Sequence, residues 1–116
     1  MPDFQQHLLR AKQNEVLARE LPKVDGFYVD WAITVLFYSA LHYIDAYLAG
    51  KNKHPRNHQV RDEEVEANGA ISDIFEDYRR LKDMSRSAPY QIADYPVAKF
   101  DYASSRLEKI KKHLGV

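Results

Sequence analysis

The sequence predicts an all-α protein, an up-down bundle of four to five helices forming one domain over residues 1–116. Three observations carry that prediction. Apolar residues recur at spacings of three and four in several separate stretches, and no stretch alternates at the period of a strand. Residues 30–50 form a long apolar run with Gly only at its end, holding the only Trp and three of the eight Tyr. The stretches are divided by connections bearing Pro, Gly or Asn, short enough in the first half to make successive helices antiparallel neighbours.

Residues 3–20 read as the first helix. Asp3 with Gln6 makes an approximate capping box, and Phe4, Leu8 and Ala11, with Leu9, Val16 and Leu17 one row over, make its apolar face. Pro22 is expected to end it, with 21–26 as the connection. Asp25 or Asp30 is expected to cap the central helix, and Gly50 occupies the position of its left-handed C-terminal residue. Ile33, Leu36, Phe37, Ala40, Leu41, Ile44 and Leu48 wrap most of this helix, so it must be covered on several sides. Trp31, Thr34, Tyr38, His42 and Asp45 form one polar line along it.

Residues 51–56 read as a basic loop, and Asn57 as the cap of a short polar helix over 58–67. Asn68 and Gly69 mark a turn. A third long helix over 70–86 has Ile71, Ile74, Phe75, Tyr78, Leu81 and Met84 on its face. The stretch 85–96 reads as a loop with two Pro, with Asp94 or Pro96 opening the last helix over 96–114. Val97, Phe100, Ala103, Leu107, Ile110 and Leu114 form that helix's face, and Lys109, Lys111, Lys112 and His113 complement its C-terminal dipole.

Lys plus Arg and Asp plus Glu both number 17, so no global field draws the chain to nucleic acid or anionic lipid, and such binding needs a local patch. The absence of Cys excludes disulfides, thiolate metal sites and Cys nucleophiles. The N-terminus lacks the basic-then-apolar order of a signal peptide, which makes a cytoplasmic location the expectation. The run 30–50 approaches the ~20 residues a membrane span needs. Asp30, His42 and Asp45 lie within it, and charges at mid-membrane cost roughly 2.5–3.5 kcal/mol each, so a core helix and no membrane contact are expected.

The segments Asp30-Trp31-Ala32, Phe37-Tyr38-Ser39-Ala40-Leu41-His42 and Asp45 to Ala49 resemble the second helix of bacterial HEPN-like proteins (higher eukaryotes and prokaryotes nucleotide-binding domain). The pair His58 and Arg61, and the run Tyr78, Leu81, Ser85, Arg86, Tyr90, resemble the region C-terminal to that helix in small members. The likeness covers roughly residues 5–110. It implies a dimeric helical bundle that binds RNA or a nucleotide, or acts as an interaction module. Members serve toxin–antitoxin or defence systems, often beside a nucleotidyltransferase partner. The family's ribonucleases carry an Arg, a polar residue and then a His. Arg56 and Asn57 begin that pattern, but Arg61, Asp62 and Glu63 stand where the His belongs. Arg106 and His113 match it only in spacing. The resemblance therefore implies fold and dimerisation more than catalysis.

Two constellations carry candidate chemistry. Tyr38, His42 and Asp45 share a helix face, and His42 and Asp45 with His58 and Arg61 are the candidate catalytic set: a carboxylate beside an imidazole orients it as a base. The same spacing serves a buried polar ladder that sets helix register near a dimer seam. Lys53, Arg56, Arg61 and Arg86 are the candidate phosphate-binding set, with the Lys51–Arg61 segment as a basic patch; Glu63, Glu64 and Glu66 would balance the same charges if the segment is only a solvated loop. His54 and His58 are split by Pro55, so neither a metal site nor a cofactor is expected. The surplus of Tyr favours a homodimer. Three readings are open: a nucleotide- or RNA-binding module inactive on its own, a metal-independent ribonuclease with a variant His/Arg site, and a purely structural bundle.

Overall fold

The computed structural model describes residues 2–24, 28–87 and 97–116. Five α-helices and one short 3-10 turn make up the regular structure of these residues: α1 Phe4–Val24, α2 Val29–Gly50, α3 His58–Ala67, the turn Ser72–Ile74, α4 Phe75–Ser87 and α5 Val97–Leu114. Cross-helix contacts set the direction of each. His7 meets His42 and Ala11 meets Ser39, so α1 and α2 are antiparallel. Thr34 meets Ser85, Asp77 meets Arg106, and Arg19 meets Glu108, so α2, α4, α5 and α1 close an up-down-up-down bundle. The all-α bundle expected from the periodicities is therefore what forms, with α3 as a short bracket beside α2 and α4.

The α1–α2 seam is made of small residues. Ala11 and Ala18 on one helix, and Ala32, Ser39 and Ala46 on the other, recur at spacings of seven and are all fully buried. Small side chains at heptad spacing let two backbones approach closely. The Ser39 hydroxyl uses that approach to donate 2.8 Å to the Ala11 carbonyl. On its other sides α2 buries Phe37, Leu41, Ile44 and Leu48 against Tyr78, Leu81, Phe100, Leu107 and Ile110. The helix is long and apolar enough to cross a membrane, and 67% of its most apolar window is buried by its neighbours.

The capping predictions divide. Asp3 and Gln6 do form a reciprocal box, at 2.9 and 2.8 Å, and Asn57 caps α3 by accepting from the Val60 N–H at 2.9 Å. Asp30 does not cap α2. It lies in the first turn and accepts from the adjacent Trp31 N–H, while the N-cap position is Tyr28, whose side chain does not cap the helix. Gly50 is still helical; the left-handed residue is Asn52, at φ 64°. The N–H of Lys53 bonds the Leu48 carbonyl and that of Asn52 bonds the Ala49 carbonyl, the paired bonds of a Schellman stop. Asn tolerates this conformation because its short side chain relieves the clash other residues meet.

Other expectations are corrected. Pro22 does not end α1, which continues to Val24. A proline costs one backbone bond in the last turn, and Leu21 packs on the core there, holding the turn helical. Leu9, Val16 and Leu17 are not core residues; they are 59%, 64% and 49% exposed, on the side of α1 away from the small-residue seam. The predicted helix 70–86 opens as a 3-10 turn and becomes α-helical only at Phe75. Lys82, outside the apolar face read for this helix, is buried against Asp62 at 2.6 Å. Asp25, Phe27, Tyr90, Asp94, Tyr95 and Pro96 lie outside the described residues.

Candidate functional site

The polar line on α2 is open to solvent at Trp31 and Tyr38 and meets neighbouring helices at Thr34, His42 and Asp45. Trp31 and Tyr38 are 51% and 46% exposed, Thr34 and His42 are half-buried, and Asp45 is buried at the far end. It is thus an open face ending in a buried carboxylate, and not a buried ladder throughout. Its flanks are α1 on one side and α3 with α4 on the other, which fixes what each polar residue can reach.

At the buried end Arg61 clamps Asp45. Nε donates to Oδ1 at 2.7 Å and a terminal nitrogen donates to Oδ2 at 3.0 Å. The two-point geometry leaves neither charge unpaired in a site water scarcely enters. His58, one turn before Arg61, receives a longer contact from the guanidinium at its Nδ1, 3.4 Å. A guanidinium only donates, so the neutral His58 carries its proton on Nε2. Its ring stacks on Phe37 at 6.2 Å. Burial, then the charges of Arg61 and Lys82, hold the His58 imidazole below its usual range. Deeper in, Lys82 holds Asp62, and burial with the neighbouring Asp62 carboxylate pushes the Tyr78 phenol well up.

On the opposite flank His7 of α1 faces His42 of α2, with Nδ1 atoms 3.2 Å apart. Both imidazoles are held below the ordinary value of 6.5. For His42 the causes are burial and then the charge of His7, opposed by Asp45. For His7 burial again leads, with Asp45 opposing it and Arg61 and His54 reinforcing it. One Nδ1 must donate and the other accept.

Between α2, α3 and α4 lies a cavity of about 490 Å³. Trp31 and Tyr38 form its aromatic wall, and His58, Lys82 and Arg86 supply its nitrogen groups. Lys82 is committed to Asp62, whereas Arg86 is exposed and has no ion-pair partner among the described residues. The cavity therefore joins flat π surfaces to one available cation and a neutral imidazole, a combination able to stack a base and hold a phosphate.

The sequence candidates are distributed unevenly around this face. His42, Asp45, His58 and Arg61 do converge, through the Asp45–Arg61 clamp. The proposed phosphate set does not: Lys53 pairs with Glu64 at 3.1 Å, Arg61 is buried against Asp45, Arg56 is exposed, and Arg86 alone of the set lines the aromatic cavity. Nearby basic groups are likewise engaged, with Lys51 over the Tyr47 ring and Arg80 on Glu76. Arg106 and His113 point to different partners, Asp77 and the Ala70 carbonyl.

Sequence reasoning missed His7, because nothing local distinguishes it; only the antiparallel seam brings it to His42. It also missed Glu15, a half-buried carboxylate that receives Tyr43 Oη at 2.9 Å, Arg19 Nε at 3.1 Å and Lys111 Nζ at 3.0 Å, tying α1 to α2 and α5. Burial pushes the Glu15 carboxyl up, and its bonds to Lys111 and Tyr43 outweigh that, holding it below the usual range.

Fold and site define an all-α bundle with an aromatic, cation-bearing cavity beside a buried guanidinium–carboxylate clamp. Compared with protein-family models, with curated proteins and with solved structures, the chain matches none.

Proposed function

We propose that this protein is a HEPN-like, dimeric RNA- or nucleotide-binding module that is not catalytic alone and works with a nucleotidyltransferase-type partner of a toxin–antitoxin or defence system in the cytoplasm. The observation that carries the reading is the pairing of exposed Trp31 and Tyr38 with Arg86 and His58 around one cavity. A large aromatic left half in water is costly unless something stacks on it, and stacking on aromatic faces next to a cation is how single strands are held without sequence preference. The outward Leu9 and Val16 of α1 support self-association. Titration of the protein with single-stranded RNA, read through the fluorescence of the only Trp, tests the binding. Saturable quenching is expected; unchanged emission up to high RNA concentration removes the proposal.

A second reading, a metal-independent ribonuclease, is favoured by one observation: His58 lines the same cavity as Arg86 and is biased to the neutral form that accepts a proton. Incubation of labelled RNA with wild type and with His58→Ala separates the readings. Cleavage by wild type alone establishes the ribonuclease, and no cleavage by either leaves binding.

A further inference from the structure

We propose that His7, His42 and Asp45 form a binding site for a divalent transition-metal ion of the zinc class, joining the start of α1 to the middle of α2. Their ligand atoms, one from each side chain, all lie within 4.8 Å of one another. The two imidazole Nδ1 atoms face each other at 3.2 Å. Two nitrogens at Zn–N distances of about 2.0–2.1 Å on a tetrahedral ion stand roughly 3.3–3.4 Å apart, so the separation of the two imidazole nitrogens already matches that of two ligands on one ion.

A direct imidazole–imidazole hydrogen bond explains the same distance. It does not explain why a buried carboxylate converges on the pair. Asp45 is gripped by Arg61 on both oxygens, and each oxygen keeps a second lone pair. Outer groups that orient a ligating carboxylate are the usual companions of metal sites. Both rings are half-buried between α1 and α2, and imidazole ligates in its neutral form.

The donor set selects the ion. Two imidazoles and one carboxylate suit Zn²⁺, Ni²⁺ or Cu²⁺. Mg²⁺ and Ca²⁺ need several oxygens and gain nothing from imidazole. The nearby positive charges of Arg61 and Arg10 disfavour hard cations held by charge alone. Three protein ligands leave a fourth position for water. Such an ion would cross-link α1 and α2 where the small-residue seam meets the open face.

The test is equilibrium dialysis and isothermal titration of the untagged, EDTA-treated full chain with Zn²⁺, and separately with Mg²⁺, at about pH 7.5. One Zn²⁺ per chain is expected, with no saturable Mg²⁺ binding and a higher melting temperature in Zn²⁺. His7→Ala weakens Zn²⁺ binding by roughly tenfold or more, while His113→Ala binds as wild type does. His7 is half-buried near the helix start, so His7→Ala keeps the fold where His42→Ala puts it at risk; circular dichroism checks both. Absence of saturable Zn²⁺ binding, binding untouched by His7→Ala, or equal loss in His113→Ala each overturns the site. RNA titration is independent of all these outcomes.

Discussion

Arg61 holds both oxygens of Asp45, and the two side chains are 9% and 8% exposed. This clamp joins α3 to α2 at the inner end of the open face.

Breaking one half of a buried, two-point ion pair strands the other charge, at a cost of about 3–5 kcal/mol. Asp45→Ala and Arg61→Ala are each expected to lose that much in urea unfolding. The double variant Asp45→Ala/Arg61→Ala is expected to be less destabilised than the sum of the singles, because no charge remains stranded. Strict additivity would show that the pair is not coupled.

Glu15 joins three helices through Tyr43, Arg19 and Lys111. Hydrogen bonds to a charged group contribute about 1.5–3 kcal/mol, so Glu15→Ala is expected to lose about 2 kcal/mol. Glu76, which pairs with Arg80 at the surface, serves as the control: Glu76→Ala leaves the unfolding midpoint where it is. Equal effects at the two positions would deny the hub its role.

The facing imidazoles make stability depend on pH. His7 and His42 both sit below 6.5 in the folded protein, so below that pH the unfolded chain binds more protons than the native one. Stability therefore rises with pH through this window: it is fully present above the unfolded value and is lost as pH falls through the folded ones. Around the pair, Asp3, Asp45, Arg10, Arg61 and His54 all bear on the titration. Melting temperature is expected to hold steady above about pH 7 and to decline toward about pH 5. His7→Gln, which removes one of the two titrations, flattens that decline; an unchanged slope would contradict it.

In the cavity, Trp31→Ala is expected to weaken single-strand binding by about 1–3 kcal/mol, the worth of one stacked base. It leaves the unfolding midpoint nearly unmoved, since Trp31 is half exposed. Arg86→Ala lowers the salt dependence of binding by about one phosphate contact. Lys53→Ala and Arg56→Ala, outside the cavity, leave affinity and salt slope unaltered. Equal losses at Lys53 and Arg86 would move the binding surface to the basic loop.

Asn52 at φ 64° closes α2. Asn52→Ala is expected to cost up to about 1 kcal/mol, because Ala keeps the Cβ that crowds the left-handed conformation and lacks the short polar side chain that offsets it by local hydrogen bonding, and Asn52→Gly, with no Cβ, to hold or raise stability. Thermal unfolding of the two variants measures both effects, and indistinguishable curves would refute them.

Much of this architecture is legible in the residues. Periodicity in Ile71, Ile74, Tyr78 and Leu81 and in Phe100, Ala103, Leu107 and Ile110 places those residues in the core, where they are found. Asp3 with Gln6, and Asn57, announce helix starts through local hydrogen bonds that need no tertiary partner. The failures are equally physical. A helical wheel cannot say how wide the covered arc is, so Leu9 and Val16 read as core and yet face outward. Proline weakens a helix by one bond, and packing of Leu21 overrides it. A run of cations reads as a patch, whereas Glu64 and Asp45 take two of its members out of play.

By itself, then, the sequence determined the elements: helices at these places, apolar stripes on these sides, and a polar line on α2. These arise from local propensity and spacing, which act within a few residues. Tertiary structure decided the partners. His7 meets His42 across 35 positions, Arg61 meets Asp45 across 16, and Lys82 meets Asp62 across 20. Such pairs depend on which helix faces pack and in what register; for His7 and His42 that is set by the close fit of Ala11, Ala18, Ala32, Ser39 and Ala46 along the α1–α2 seam.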